Sequence, residues 1–354
     1  MRQTGYNAGT GSRSRAWLVL ALVALGLVAL AGWAARRGER DVAWRARVGG
    51  AVLLAPAVDA TRAWLADESG QLTALSLADG AVVWRADLPR TPSAPPVVWS
   101  PHVAVGLDDG RVCAFRAADG RPAWSTPAHG SPVLGLAPVR DGLLALGEDG
   151  ALRGLTADGA ERFAHAVAAR PTARPLATGD GLVILSADGR AQSCGPDGVQ
   201  RWSTPLAATP LHWAALDGPW LRVVTPEPAL VALDLATGQV VHRTALAAQA
   251  SSAPVNTDGW LCLATGRRGL WGIAPSGDAN WSRLAPDLLT TPLASTPGAL
   301  AAVTADHTLC WWSVARGRLA RRLRLPGEVT APLTPIGGRL LVADWHGRVA
   351  AIAP

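Results

Sequence analysis

The chain of 354 residues contains no lysine, one methionine, one tyrosine, two phenylalanines and four cysteines, and only 17% of it is charged. So little charge, beside 38 glycines and 27 prolines, argues against a mainly helical protein and suits many short strands joined by tight turns. The net charge of +6 is also thinner than it looks. Residues 1–40 hold six arginines and one acid, so the remaining 314 residues carry a net of +1. A near-neutral domain lacks the electrostatic footprint that DNA or RNA binding requires.

One long hydrophobic run is present. Trp17 to Ala35 is uncharged, with Arg13 and Arg15 before it and Arg36 and Arg37 after it. At about 1.5 Å per residue it spans roughly 28 Å, close to the hydrocarbon thickness of a bilayer. Trp17 and Trp33 stand near its ends, where indoles favour the interface. The run reads as a single transmembrane helix, with 1–16 a tail and 36–40 a linker. A cleaved signal peptide is the rival reading, since Gly32-Trp33-Ala34 has a small-x-small pattern, but 19 apolar residues are long for a signal core. No cysteine follows the run to carry a lipid. More arginines follow the span (Arg36, Arg37, Arg40, Arg45, Arg47) than precede it (Arg2, Arg13, Arg15), which by the positive-inside rule favours a cytoplasmic domain.

Residues 41–354 repeat. A glycine followed four residues later by tryptophan recurs at Gly80/Trp84, Gly120/Trp124, Gly198/Trp202 and Gly277/Trp281. The same frame holds Gly159/Phe163, Gly238/His242 and Gly317/Arg321. With Trp44 the anchors are Trp44, Trp84, Trp124, Phe163, Trp202, His242, Trp281 and Arg321, spaced 39 or 40 residues apart. Turn-plus-strand units such as SGQLTAL at 69–75 and DGRVCAF at 109–115 form a second track of eight. A third has prolines at 56, 96, 138, 175, 210, 254, 292 and 332. A period near 40 built from short strands predicts a β-propeller of eight four-stranded antiparallel blades. The anchors should bury their side chains between neighbouring blades. The prolines should fall in the innermost strands, whose free edges tolerate a residue without a backbone donor. The last turn-plus-strand unit ends at Ile352 and lacks an outer strand, whereas residues 41–48 have an outer-strand anchor and nothing before it. The two are expected to share the eighth blade.

The unit ADESGQLTALSLADGAVVWRADL at 66–88 resembles the quinoprotein-type propeller repeat, in which a G-x-[LV]-x-A-L strand leads through an Asp-Gly turn to a tryptophan. Eight blades with an N-terminal closing strand look most like the propeller lipoproteins of the outer-membrane β-barrel assembly machinery. Both groups are extracytoplasmic, so the resemblance implies a propeller in the periplasm or outside, against the arginine count. Here an apolar run stands where the lipoproteins carry a modified cysteine.

Quinoprotein dehydrogenases hold a quinone over a tryptophan floor beside adjacent cysteines, with calcium on acidic and amide groups. This chain has no Cys-Cys pair, and its even blades leave little room for inserted active-site loops. Cys113, Cys194, Cys262 and Cys310 fall in four different blades, so no disulfide is expected. The seven histidines show no metal-ligand spacing. No phosphate loop or nucleophile elbow is present. The expected protein is a scaffold, not an enzyme, without cofactor or metal, that binds envelope or membrane proteins. The alternative is a small-molecule or quinone sensor using the central channel. Trp99, and Trp213 with Trp220 flanking the apparent loop AALDGP, are candidates with His212 and Arg222 for a partner-binding rim. The other tryptophans outside the anchor track, Trp345 among them, read mostly as core.

Overall fold

The computed structural model describes residues 41–127, 129–274 and 280–354. The tail 1–16, the apolar run 17–35 and the linker 36–40 lie outside them. Among the described residues no helix is long and apolar enough to cross a membrane.

The described residues form eight four-stranded antiparallel sheets. Seven take their strands consecutively from the chain, the first being Ala57–Val58, Arg62–Ala66, Gln71–Ser76 and Val82–Asp87. The eighth joins Thr334–Ile336, Arg339–Ala343 and Arg348–Ile352 to the N-terminal strand Val42–Arg47. Beyond that pairing, the Val48 amide donates to the Gly347 carbonyl at 2.8 Å. Each of the two middle strands of a blade is buried on both faces, which explains its near-continuous apolar reading, as in Arg62–Ala66 and Gln71–Ser76. The apolar clusters accordingly lie between blades. One joins Trp64 and Leu72 of the first blade to Val103 and Phe115 of the second. Another joins Leu65 and Leu75 to Leu341 and Val349 across the closure, with Trp44 and Val48 in it.

The anchor tryptophans do more than fill these seams. Each indole reaches forward and donates its Nε1–H to a carbonyl 33 residues ahead, in the next blade. Trp44 donates to Leu77 at 2.9 Å, Trp84 to Ala117 at 3.0 Å, Trp124 to Ala157 at 2.9 Å, Trp202 to Leu235 at 3.0 Å and Trp281 to Val314 at 2.7 Å. The ring lies flat on the turn glycine of that blade. Gly120 has φ +73°, and a Cβ there would sit 2.5 Å from the Trp84 ring. The glycine therefore supplies both a left-handed turn and a bare floor for the indole. Phe163 lies over Gly198 in the same way, stacked on His165 at 4.9 Å, without a donor. Arg321 replaces the indole with a guanidinium, donating to Ala353 at 2.9 Å and lying 4.8 Å over the Trp311 ring. His242 departs from the expected anchor role: it is exposed on the outer strand Val240–Ala245. Its imidazole is smaller than an indole, and Gly277, the turn glycine of the next blade on which an anchor there would pack, lies outside the described residues.

The prolines cap the inner strands more than they occupy them. Pro56, Pro96, Pro175 and Pro254 directly precede inner strands of two or three residues, and Pro292 and Pro332 stand one residue further back. Pro138 and Pro210 break this register. Pro138 lies within Val133–Val139, and Pro210 stands clear of Trp213–Asp217. These two inner strands are the long ones, with 7 and 5 residues. A proline at the cap cannot donate to the next strand, so its blade stops pairing there, while the third and fifth blades continue.

Turn aspartates hold the connections between third and outer strands. Hydroxyl hydrogen bonds from Ser76, Thr156 and Thr237, joined by backbone amides, keep the carboxyl groups of Asp79, Asp158 and Asp234 below the usual range. A carboxyl more acidic folded than unfolded contributes stability that is present above the unfolded pKa and lost as pH falls. The melting temperature should therefore be insensitive to these groups from neutral pH to about pH 4 and fall below it. Thermal melts across pH 2.5–7 test this. Replacing all three aspartates by asparagine should flatten the acid limb, and an unchanged limb would refute the assignment.

Candidate functional site

Each blade has two ends. On one, here the upper face, the second strand turns into the third and the outer strand crosses to the next blade. On the lower face lie the inner hairpin turns and the aspartate turns.

This geometry separates the residues that the sequence grouped as a rim. The segment AALDGP is no loop: Trp213–Asp217 and Trp220–Thr225 are antiparallel strands joined through Gly218-Pro219. Trp213 pairs with Val224 at the upper end and Trp220 with Asp217 at the lower end. His212 is exposed beside Trp213. Arg222 turns to Asp217, its Nε 2.9 Å from Oδ2, in a partly buried ion pair. Trp99 ends the inner strand Val97–Trp99 on the lower face of the second blade, half-buried against the seam with the third. A two-residue hairpin turn accounts for the separation, because it puts the two tryptophans at opposite ends of paired strands.

The upper face gathers a different set. Trp213 is 39% exposed, Trp345 52%, Leu53 46% and Leu288 38%. Trp345 occupies the second position of its turn, where the other blades carry Glu68, Asp108, Glu148, Ala187, Pro226, Gly266 and Ala305. That turn is rigid. Asp344 Oδ1 accepts the amides of His346 and Arg348, each at 2.9 Å, and Oδ2 pairs with Arg348 Nε at 2.6 Å. An exposed indole on a fixed turn meets a partner with little entropy left to lose. Lining up the eight turns would have revealed it in the sequence, since a tryptophan there has no core to enter.

Trp213 borders a pocket of about 430 Å³ on the upper face, between the fifth, sixth and seventh blades. Leu288, Arg267, Ser251 and Thr290 help line it. The four cysteines are buried and free, and burial pushes the Cys194 thiol up to about 11 and Cys262 up to about 12, so neither offers a thiolate. Among the described residues no three His, Cys, Asp or Glu side chains are grouped to hold a metal.

Eight four-stranded blades closed by an N-terminal strand define a β-propeller that presents its turns to the surroundings. A family model described as outer membrane protein assembly factor BamB matches residues 33–180 and 187–297, and the chain belongs to that family. No curated protein matches it in sequence. Three solved structures are similar in fold. BamB from Moraxella catarrhalis has a TM-score of 0.73 and 18% identity, covering 88% of this chain and 98% of that one. The computationally designed Ika8 protein has a TM-score of 0.74 and 15% identity, covering 89% and 100%. Sqt1 of Saccharomyces cerevisiae has a TM-score of 0.74 and 9% identity, covering 89% and 99%. At such identities the likeness is one of fold.

Proposed function

We propose that this protein is a non-catalytic scaffold, held at the bacterial inner membrane by residues 17–35, whose propeller stands on the extracytoplasmic side and presents its upper face to envelope proteins. Membership of the BamB family supports protein partners in general. The observation that carries the reading is the exposure of Trp345, Leu53, Trp213 and Leu288 on one face. Tryptophan is the residue type most enriched among those that dominate binding energies, and truncating such a residue costs about 2 kcal/mol or more.

The test is affinity purification of the full-length protein from native membranes, with and without Trp345→Asp and Leu53→Asp together. The double variant is expected to lose most of the co-purifying partner while its melting temperature holds. A reporter fused after Pro354 should be active on the extracytoplasmic side. Retention of every partner by the double variant would overturn the upper-face assignment, and a cytoplasmic reporter would overturn the placement.

A further inference from the structure

Two adjacent arginines in the turn of the sixth blade are used differently. Arg268 spends its guanidinium on the chain: its Nη2 donates to the carbonyls of Ala285 at 2.8 Å and Pro286 at 2.7 Å, and its Nε to Ala285 at 3.1 Å. It thereby fastens the turn to the crossing loop that carries Leu288. Arg267 lines the pocket, and its side chain has no hydrogen bond or ion pair among the described residues. No acidic residue lines that pocket.

The hydroxyls around it divide in the same way. Ser252 Oγ accepts the Ala264 amide at 3.2 Å, Thr291 Oγ1 accepts the Val303 amide at 3.0 Å, and Thr290 Oγ1 donates to the Val303 carbonyl at 3.1 Å. These three are committed to the backbone. Ser251 is exposed at the pocket, and its hydroxyl makes no bond within the chain among the described residues. Trp213 and Leu288 supply apolar walls, both partly open to solvent. In the preceding blade Arg174 holds the register position of Trp213, four residues before the inner hairpin turn. It lies outside the pocket lining. A free cation, Arg267, and a free hydroxyl beside apolar walls complement a carboxylate set next to a large apolar side chain. Arginine meets a carboxylate through two parallel hydrogen bonds. The volume falls within the roughly 300–1,000 Å³ of ligand-sized pockets.

We propose that this pocket seats a short acidic-apolar segment of a partner protein, with a leucine or aromatic side chain between Trp213 and Leu288 and a neighbouring Asp or Glu carboxylate on Arg267 and Ser251. The proposal rests on the scaffold reading above and names the chemistry of its partner.

The experiment selects a displayed random dodecapeptide library on the full-length protein in detergent micelles. Selected peptides are expected to carry Asp or Glu within two positions of Leu, Phe or Trp. Changing that acid to its amide should weaken binding tenfold or more. Arg267→Ser should remove the difference between acid and amide, while the melting temperature stays within a degree of the parent. Trp213→Ala should weaken both peptides. Selected peptides without an acid, or peptides that bind Arg267→Ser equally well, would overturn the proposal. So would uptake of free indole-3-acetate at the pocket with no peptide enriched, which would make the source a small molecule. If selection fails while Trp345→Asp with Leu53→Asp still releases the membrane partner, the scaffold reading stands and this pocket assignment falls.

Discussion

A chain lacking residues 41–48 is expected to melt at least about 10 °C lower than the parent or to self-associate. The deletion removes the outer strand of the eighth blade and bares the edge of Arg348–Ile352. It also removes Trp44, whose indole joins the closing seam and bonds to Leu77. Losing one buried tryptophan costs about 3–5 kcal/mol, against a typical stability of about 5–15 kcal/mol. An unpaired strand edge is in addition a template for association. Trp44→Ala alone should move the melt in the same direction by less. Melts with sedimentation at several concentrations measure both effects. A deletion that stays monomeric at the parental melting temperature would mean that the ring closes by other means.

Gly120→Ala should cost about 2–5 kcal/mol, about 1–3 because the new methyl group would enter the space of the Trp84 ring and about 1–2 for its left-handed backbone. The comparison that isolates this clash is Gly130→Ala. Gly130 also has a positive φ, +83°, but nothing lies within 4 Å of a Cβ there. Only the left-handed backbone penalises it, at about 1–2 kcal/mol. Chemical denaturation of the two variants should separate them by about 1–3 kcal/mol, the cost of the clash alone, since both share the left-handed backbone. Equal losses would show that the indole does not depend on a bare glycine.

The ring was legible because its cause is periodic: a left-handed turn, a strand and an anchor recur at a spacing set by four short strands. The partner of each anchor was harder to read. Trp84 sits in one frame with Gly80, four residues earlier, but it packs on Gly120 in the next blade, a contact that no local spacing encodes. The proline track reads as one register, but Pro138 and Pro210 lie outside it, because register follows from the inner hairpin turn and not from spacing along the chain. The candidate rim is divided between two faces for a related reason. Gly218-Pro219 makes a tight turn, so residues close in sequence end on opposite faces, while Trp213 and Leu288, 75 positions apart, share one pocket. Trp345 reads in sequence like the core tryptophans because its neighbours form strands, and only its place in the turn marks it as exposed.

The forward-reaching indoles give the disc a sense of rotation, since every grip is made by one blade on its successor. A linear array of repeats would fray from its two ends, but a circle of such grips has none, and it must part at its loosest seam. After the fifth blade, His242 stands in the solvent in place of an indole. The Trp213 pocket spans the same junction, from the fifth blade to the seventh. Whatever sits there would touch both sides of the seam where His242 holds the anchor position, so occupancy should slow the opening of the whole ring.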